Sequence, residues 1–313
     1  MMQNSSTTNA IKQELQPSEM YFLVVISIFQ SVIGTVANAF TLATILLYGR
    51  LHQMPSNLLL LNLATVDLLS CVIFLPFHIY NLHQASLSRI SRFFYHAQCL
   101  FHLFSNGNAI FAITADRFIA VTFSLRYKSI VTKRRIVVAI ILSWLMPLLF
   151  SVTFYITLRK DFLEHILQSY EHVLRAYIMS SLLLVVIFYF LIYRVARRQI
   201  NRIRSERLSL NATCIKRPRV NILTRSSVWK STMNTFFIVC LYFVTYLPIL
   251  IYDMTFSLGK QSRYTSMSER VYTWVLSFIF INSCIDPFLY AFRNRQFKKA
   301  FWLHVLPTIL LRK

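Results

Sequence analysis

The chain has 313 residues, of which 56% are apolar and 14% are charged, about half the charged share of a soluble domain. Lys and Arg outnumber Asp and Glu by 33 to 11, which gives a net charge of +22. A mean hydropathy of +0.53 leaves too little polar surface for a soluble nucleic-acid-binding protein, so the composition indicates an integral membrane protein and no nucleic-acid partner.

Apolar windows recur along the chain and predict seven membrane-crossing helices, since a crossing takes about 20 mainly apolar residues. We number them span one to span seven: 20–47, 57–80, 97–123, 136–158, 177–193, 233–252 and 272–292. Span three is the most polar of them, because His102, Asn106 and Asn108 interrupt it. Strands of a membrane barrel would be shorter and alternating. The predicted fold class is therefore an all-α membrane protein, a bundle of seven transmembrane helices.

Polar segments flank this membrane domain, 20–292, on both sides. The N-terminal tail, 1–19, carries the sequon Asn4-Ser5-Ser6, and Asn4 is a candidate glycosylation site if the tail lies outside the cell. The C-terminal segment, 293–313, places Phe297 and Phe301 four residues apart with basic residues around them. This pattern predicts a short amphipathic helix on the membrane surface.

Basic residues in the loops predict the orientation. The segments after spans one, three, five and seven together hold 24 Lys and Arg, against 9 in the N-terminal tail and the remaining loops. The positive-inside rule therefore places the N-terminus outside the cell and the C-terminus in the cytosol. The basic face on the cytosolic side favours contact with anionic membrane lipid.

Acidic residues inside apolar spans are costly and indicate functional sites. Asp67 lies midway along span two and Asp286 late in span seven, and with Asn38 and Asn106 they are expected to converge on one polar cluster. Two carboxylates there repel unless one is protonated or a cation joins them. The functional interpretation is a cation or proton site coupled to conformational change. The alternative is a hydrogen-bonded packing network that fixes the helix register.

Two further features concern motion. Asp116 and Arg117 end span three at the cytosolic face, where an arginine can exchange partners, although an interfacial anchor explains it equally well. Four spans contain a proline, which removes a backbone hydrogen bond and can kink a helix. Pro248 follows Tyr246 in an aromatic stretch of span six, and this pattern predicts a hinge, with packing as the alternative.

The order of these motifs, one in each helix, resembles that of the rhodopsin-like (class A) G-protein-coupled receptors over about residues 20–302. The residues that carry the resemblance are Asn38, Leu63-Ala64-Thr65-Val66-Asp67, Asp116-Arg117-Phe118, Trp144, Tyr189, Pro248 and Asp286-Pro287-Phe288-Leu289-Tyr290. Several family features are absent: Arg92 stands in place of a cysteine, Ser181 in place of a proline, and Thr245-Tyr246 before Leu247-Pro248 in place of Cys-Trp. These departures resemble the melanocortin, cannabinoid and adenosine receptor group.

The resemblance implies a receptor that passes the signal of an extracellular ligand to a heterotrimeric G protein from the plasma membrane. It implies an activation switch formed by Asp116, Arg117, Phe118, Tyr189 and Tyr290. It implies a hinge at Tyr242, Tyr246, Pro248 and Pro287. It implies an allosteric sodium site, the one cofactor expected, at Asp67, Asn106, Asn282 and Asp286. By position, Cys99, Tyr246, Asp253 and Tyr272 are expected to line the ligand pocket.

The identity of the ligand stays open at this stage. Cys99 stands where amine receptors carry an aspartate, and Phe280 stands where opsins carry the retinal lysine. The alternative function is an ion- or proton-coupled membrane transporter that uses Asp67 and Asp286, although transporters often show internal repeats and none is found here. No metal-ligand cluster or nucleophile with a nearby base is found, so an enzyme is not expected.

Overall fold

The computed structural model describes residues 15–83, 89–159, 164–211, 220–257, 266–293, 295–305 and 307. This part of the chain is helical apart from short turns and contains no strand. The predicted all-α bundle is confirmed, and every span is helical, although spans two and seven are divided into consecutive helical segments. The bounds of the seven spans are Pro17–Leu47, Pro55–His83, Arg89–Thr122, Lys133–Arg159, Glu164–Asn211, Val220–Ser257, and Ser266–Ile279 followed by Ile281–Arg293.

Six of these helices are long and apolar enough to cross a membrane, within the part of the chain that is described. Span three is long, but it is too polar to be recognised as a membrane-crossing helix by composition alone. This agrees with the histidine and asparagines that interrupt its apolar window. Span three lies at the centre of the bundle instead, where it packs against spans two, four, five and six. Its polar side chains therefore face other helices rather than lipid.

The main hydrophobic core surrounds span three. Ile110 of span three packs there with Leu63 of span two, Tyr242 of span six and Ile279 of span seven, all nearly inaccessible to solvent. Span four lies at the edge and is joined to span two by a hydrogen bond of 2.6 Å from Trp144 Nε1 to Asn62 Oδ1. The core therefore fixes the position of the helix that carries most of the predicted polar residues.

Spans one, two and seven approach each other closely at Gly34. A Cβ atom at this position would overlap Cys71 Sγ and lie 3.3 Å from the Ser283 carbonyl oxygen. One turn later, Asn38 Nδ2 donates to the carbonyl oxygens of Gly34 at 2.9 Å and Ser283 at 2.8 Å. Glycine therefore allows the contact, and the asparagine satisfies a carbonyl group of span seven.

Span two contains a π-helical turn, Ser70–Phe74, which ends two residues before Pro76. Proline has no N–H and its ring clashes with the carbonyl group four residues earlier in a regular α-helix. The wider turn, in which the Leu75 N–H bonds to the Ser70 carbonyl oxygen, lets the helix continue to His83.

Spans five and six extend well beyond their apolar windows, to Asn211 and from Val220 respectively. The windows 177–193 and 233–252 were too short because hydropathy detects only the part of a helix that matches the hydrocarbon. A short helix, Arg295–Ala300, follows span seven and packs on the end of span one through Phe297, whose core cluster includes Ile45 and Leu51.

Candidate functional site

We call the end of the bundle that holds the turn after span three the Arg117 end, and the opposite end the Asp253 end. Between them lies the midplane cluster, formed by Asp67, Asn106, Asn282, Ser283 and Asp286. Asp67 and Asp286 are completely buried and close enough to repel each other. Asn106 Nδ2 donates to Asp67 Oδ1 over 3.2 Å, and the Ser283 side chain lies beside Asp67. The predicted convergence of the two acids is therefore present in the structure.

The midplane cluster contains buried acceptor oxygens without a hydrogen-bond donor among the described residues. These are Asp67 Oδ2, Asn106 Oδ1, Asn282 Oδ1, Ser283 Oγ and both carboxylate oxygens of Asp286. A buried carboxylate without a partner is expensive, so this set fits a proton or a small cation that prefers oxygen ligands. Among the described residues, no three or more His, Cys, Asp and Glu side chains form a group that could hold a metal ion.

Thr245 connects span six to the midplane cluster. Its Oγ1 accepts a hydrogen bond of 2.6 Å from Asn282 Nδ2 and donates one of 3.0 Å to the Leu241 carbonyl oxygen. The next residue, Tyr246, is completely buried near both carboxylates of the cluster, and its ring centroid lies 4.1 Å from that of Tyr242. The predicted hinge and the predicted ion site are therefore in direct contact.

Tyr242 also reaches spans three and five. Its hydroxyl lies 3.1 Å from Ser181 Oγ. A Cβ atom at Gly107 would lie 3.0 Å from the Tyr242 hydroxyl and 2.7 Å from the hydroxyl of Tyr177, which donates to Asn108 Oδ1 over 2.9 Å. Glycine at this position of span three therefore leaves room for two tyrosine hydroxyls.

The hinge prolines Pro248 and Pro287 both lie inside helices.

The switch residue Asp116 has hydrogen-bond donors for both of its oxygens. Arg117 donates to Asp116 Oδ2 from Nε at 3.0 Å and also from Nη2, and the two side chains form an ion pair. Tyr127, in the short helix Tyr127–Ile130, donates to Oδ1 over 2.6 Å. Burial and the adjacent Asp116 carboxylate raise the pKa of Tyr127, so its phenol remains a donor at neutral pH.

The other predicted switch residues lie around this pair. Tyr189 of span five lies near Arg117 and Thr235. Phe118 packs against Phe188 of span five with a centroid distance of 5.1 Å. The side chain of Tyr290 lies outside the described part of the chain, as does Asn4, the predicted glycosylation site.

At the Asp253 end, an ion pair between Arg175 and Asp253 joins spans five and six. Arg175 Nη1 also lies 3.0 Å from His172 Nδ1. The Tyr272 ring lies 5.4 Å from that of Tyr252, which brings spans six and seven together. Two of the four predicted pocket residues, Asp253 and Tyr272, therefore lie at this end.

The other two predicted pocket residues lie deeper. Cys99 is buried beside Tyr95 of the same helix, and Tyr246 belongs to the layer next to the midplane cluster. All four thus belong to the half of the bundle between the midplane and the Asp253 end, at different depths. The four described cysteines, Cys71, Cys99, Cys240 and Cys284, are free thiols.

Two buried histidines between the midplane and the Asp253 end were not identified as functional from the sequence. His78 of span two lies 2.6 Å from the Tyr95 hydroxyl through Nδ1 and 2.9 Å from Ser277 Oγ through Nε2, so it joins spans two, three and seven. His102 Nδ1 lies 2.7 Å from Ser70 Oγ. The available signal was the presence of a polar ring inside an apolar window, which does not by itself identify a partner.

Comparison with known proteins identifies the family of this chain. Residues 37–290 match the 7 transmembrane receptor (rhodopsin family). Trace amine-associated receptor 365 of Petromyzon marinus is 25% identical over 311 residues, covering 93% of this chain and 81% of that protein. Melanocortin receptor 5 of Mus musculus is 22% identical, covering 94% and 87%, and the alpha-1A adrenergic receptor of Homo sapiens is 24% identical, covering 86% and 64%.

The chain belongs to the rhodopsin family of seven-transmembrane receptors. It is therefore a multi-pass membrane protein and a G-protein-coupled receptor, not an enzyme. The predicted resemblance to rhodopsin-like receptors is confirmed, and a melanocortin receptor is among the relatives. The transporter alternative is not favoured, because the matching proteins are receptors.

Proposed function

We propose that this receptor lies in the plasma membrane with its N-terminus outside the cell, and that a ligand bound near the Asp253 end activates a heterotrimeric G protein at the Arg117 end. The excess of basic residues in the loops at the Arg117 end, 24 against 9, supports this orientation. Under it, the N-terminal tail and Asn4 are extracellular, which makes Asn4 available for glycosylation.

The pairing of Arg117 with Asp116 is the observation that carries the proposed mechanism. In this conformation Asp116 and Tyr127 hold the guanidinium against span three. Activation moves the Arg117 end of span six outward and releases Arg117 towards the G protein, and Tyr189 lies near this arginine. A ligand drives this change only by the difference in its affinity for the two conformations.

The hinge of span six transmits the change. Pro248 interrupts the backbone hydrogen bonding of span six one turn from Thr245, whose hydroxyl accepts the bond from Asn282. Rotation of span six at this level breaks or re-forms that bond. Pro287, next to Asp286, gives span seven the same freedom. The midplane cluster and the hinge therefore change together.

We further propose that the midplane cluster holds a sodium ion in the inactive conformation. Asp67 and Asp286 would supply the charge, and Asn106 and Asn282 the amide oxygens, since each has an acceptor without a donor. A bound cation removes the repulsion between the two carboxylates. Asn282 would then bond to the ion through Oδ1 while Nδ2 keeps span six in place through Thr245.

The ligand class follows from the charges around the expected pocket. Some relatives are named amine or adrenergic receptors. Here Cys99 offers no negative charge, and the Asp253 carboxylate is paired with Arg175. Neither of these two predicted pocket residues therefore offers a protonated amine an unpaired carboxylate, which favours a ligand without a strong positive charge.

A ligand panel read by biosensors for each G-protein subtype tests the proposed function. Wild type and Arg117→Ala are expressed at equal surface levels, which an epitope on the N-terminal tail measures in unpermeabilised cells. We expect at least one compound without a cationic amine to activate wild type and not Arg117→Ala. An epitope accessible only after permeabilisation would overturn the orientation, and equal responses of the two receptors would overturn the role of Arg117.

A further inference from the structure

A basic groove lies on span five near the Arg117 end and takes no part in the switch, the hinge or the midplane cluster. Its volume is about 330 Å³, at the lower end of the range of small-molecule sites. The side chains that line it are Phe190, Tyr193, Arg194, Arg197, Arg198 and Asn201. Three arginines and no acid therefore surround a space that nothing in the mechanism above uses.

The groove faces lipid rather than the interior of the bundle. The buried side chains of span five, such as Leu182, Val185 and Ile192, point to the core. The large apolar residues Leu183 and Phe190 are 60% and 57% exposed on another face, and the groove continues that face towards the Arg117 end. A helix rises about 1.5 Å per residue, so Arg198 lies about 12 Å beyond Phe190 along the axis. The arginines thus follow the last lipid-facing aromatic residues, at the depth of lipid headgroups.

The arginine side chains are available for a ligand. None of the ion pairs among the described residues involves Arg194, Arg197 or Arg198. Arg194 Cζ lies 5.7 Å from the centroid of the Phe190 ring, a cation–π distance that orders its guanidinium over the groove. Arginine presents a planar set of N–H donors that matches phosphate oxygens in pairs.

We propose that this groove binds the headgroup of a phosphoinositide, an anionic phospholipid with phosphate monoesters on its inositol ring. Three guanidinium groups match several phosphates better than a single carboxylate, which favours a phosphoinositide over phosphatidylserine. The lipid-facing aromatic residues contact its acyl chains below. Binding of this lipid in cells rests on the orientation proposed above, because phosphoinositides lie in the cytosolic leaflet and the Arg117 end must face it.

Binding of a fluorescent dioctanoyl phosphatidylinositol bisphosphate to the purified full-length receptor in detergent tests the proposal. Both ends of the receptor are accessible in detergent, so a failure here concerns the groove and not the orientation. The test variant carries Arg194→Gln, Arg197→Gln and Arg198→Gln. The control variant carries Arg126→Gln, Lys133→Gln and Arg134→Gln, which removes the same charge from exposed positions at the same end.

We expect the test variant to bind at least about tenfold more weakly and the control variant to change less than about twofold. Phe190→Leu keeps the arginines and removes the ring, so it should weaken binding about two- to fivefold. Dioctanoyl phosphatidylserine and free inositol trisphosphate should compete poorly, because the first lacks phosphate monoesters and the second lacks acyl chains.

Three results would overturn the proposal. An equal loss in the two triple variants would mean diffuse attraction to a basic surface. Competition by inositol trisphosphate as strong as by the lipid would identify a site for a soluble phosphate. Normal binding by Phe190→Leu and by the test variant, with melting temperatures like that of wild type, would place the lipid elsewhere.

Discussion

Two buried acidic sites of this receptor differ in how their charges are satisfied. At the Arg117 end, Asp116 is 3% exposed and accepts hydrogen bonds on both oxygens, from Arg117 and Tyr127. In the midplane cluster, Asp67 and Asp286 are completely buried, with one asparagine donor to Asp67 and none to Asp286 among the described residues. The first site is neutralised by the chain itself, whereas the second requires a proton or a cation.

This difference assigns separate roles to the two sites. In the proposed mechanism, the Asp116 site keeps Arg117 in the present conformation until span six moves and a G protein offers Arg117 another partner. The midplane cluster is proposed to respond to its ionic surroundings, and it contacts span six through the hydrogen bond from Asn282 to Thr245. Under this proposal, a signal from the Asp253 end would pass through the midplane cluster before it reaches the switch.

The largest expected effect is the loss of signalling in Arg117→Ala. Removal of the guanidinium leaves no group to exchange between Asp116 and the G protein, so activation by any active compound of the ligand panel should fall to the level of untransfected membranes. Nucleotide exchange on the G protein in receptor-rich membranes measures this activation. Arg126→Ala, an exposed position at the same end, should retain activation, and a residual response in Arg117→Ala above about one tenth of wild type would contradict the assignment.

Gly34→Ala tests the packing that encloses the midplane cluster. The new Cβ atom would overlap Cys71 Sγ and press on the Ser283 carbonyl oxygen, so we expect a destabilisation of about 3 kcal/mol, visible as a lower melting temperature. Cys71→Ala in the same chain should restore part of the loss. Gly49→Ala, which places its Cβ in open space, should leave the melting temperature unchanged or slightly raised. A Gly34→Ala receptor as stable as Gly49→Ala would show that the three spans are not in close contact.

Tyr127→Phe tests whether Asp116 depends on its donors. It leaves Asp116 Oδ1 without a hydrogen bond, which should cost about 1.5 kcal/mol and lower the melting temperature. Tyr80→Phe serves as the control, because Tyr80 is 49% exposed. If both substitutions had the same small effect, Asp116 would not be held as the structure indicates.

The smallest expected effect concerns an ion pair at the Asp253 end. Glu19 of span one and Arg270 of span seven form a partly exposed pair, so water already screens their charges. Glu19→Gln should therefore lower the melting temperature less than Gly34→Ala or Tyr127→Phe. A larger drop in melting temperature would mean that partly exposed charges matter as much here as the buried ones.

Much of the bundle was predictable from the sequence, because the local sequence alone shows which segments are apolar enough for the hydrocarbon. It also shows which acids lie inside those segments. The helix ends were predicted less accurately. The extensions of span five to Asn211 and of span six from Val220 are polar and lie beyond the hydrocarbon. The midplane cluster was predicted from Asp67 and Asp286. Acids inside apolar spans are surrounded by few other polar groups, so they are expected to lie close to each other.

Contacts that depend on the exact packing of distant helices could not be predicted. Arg175 and Asp253 are 78 residues apart and His78 and Ser277 are 199 apart, and no periodicity in either segment indicates the pairing. Asp253 was expected in the pocket without its basic partner. Prediction of that partner requires the rotation of spans five and six about their axes, which the apolar pattern fixes only coarsely.

The sodium dependence of the melting temperature tests the central claim, that Asp67 and Asp286 form a cation site, most directly. The purified receptor is heated in about 0.15 M sodium chloride and in choline chloride of equal ionic strength. We predict a higher melting temperature in sodium for wild type, equivalent to about 1.4 kcal/mol if sodium is at ten times its Kd. Glu19→Gln should keep this difference, whereas Asp67→Asn and Asp286→Asn should lose it. Equal sodium responses in all four receptors, or none in wild type, would contradict the account.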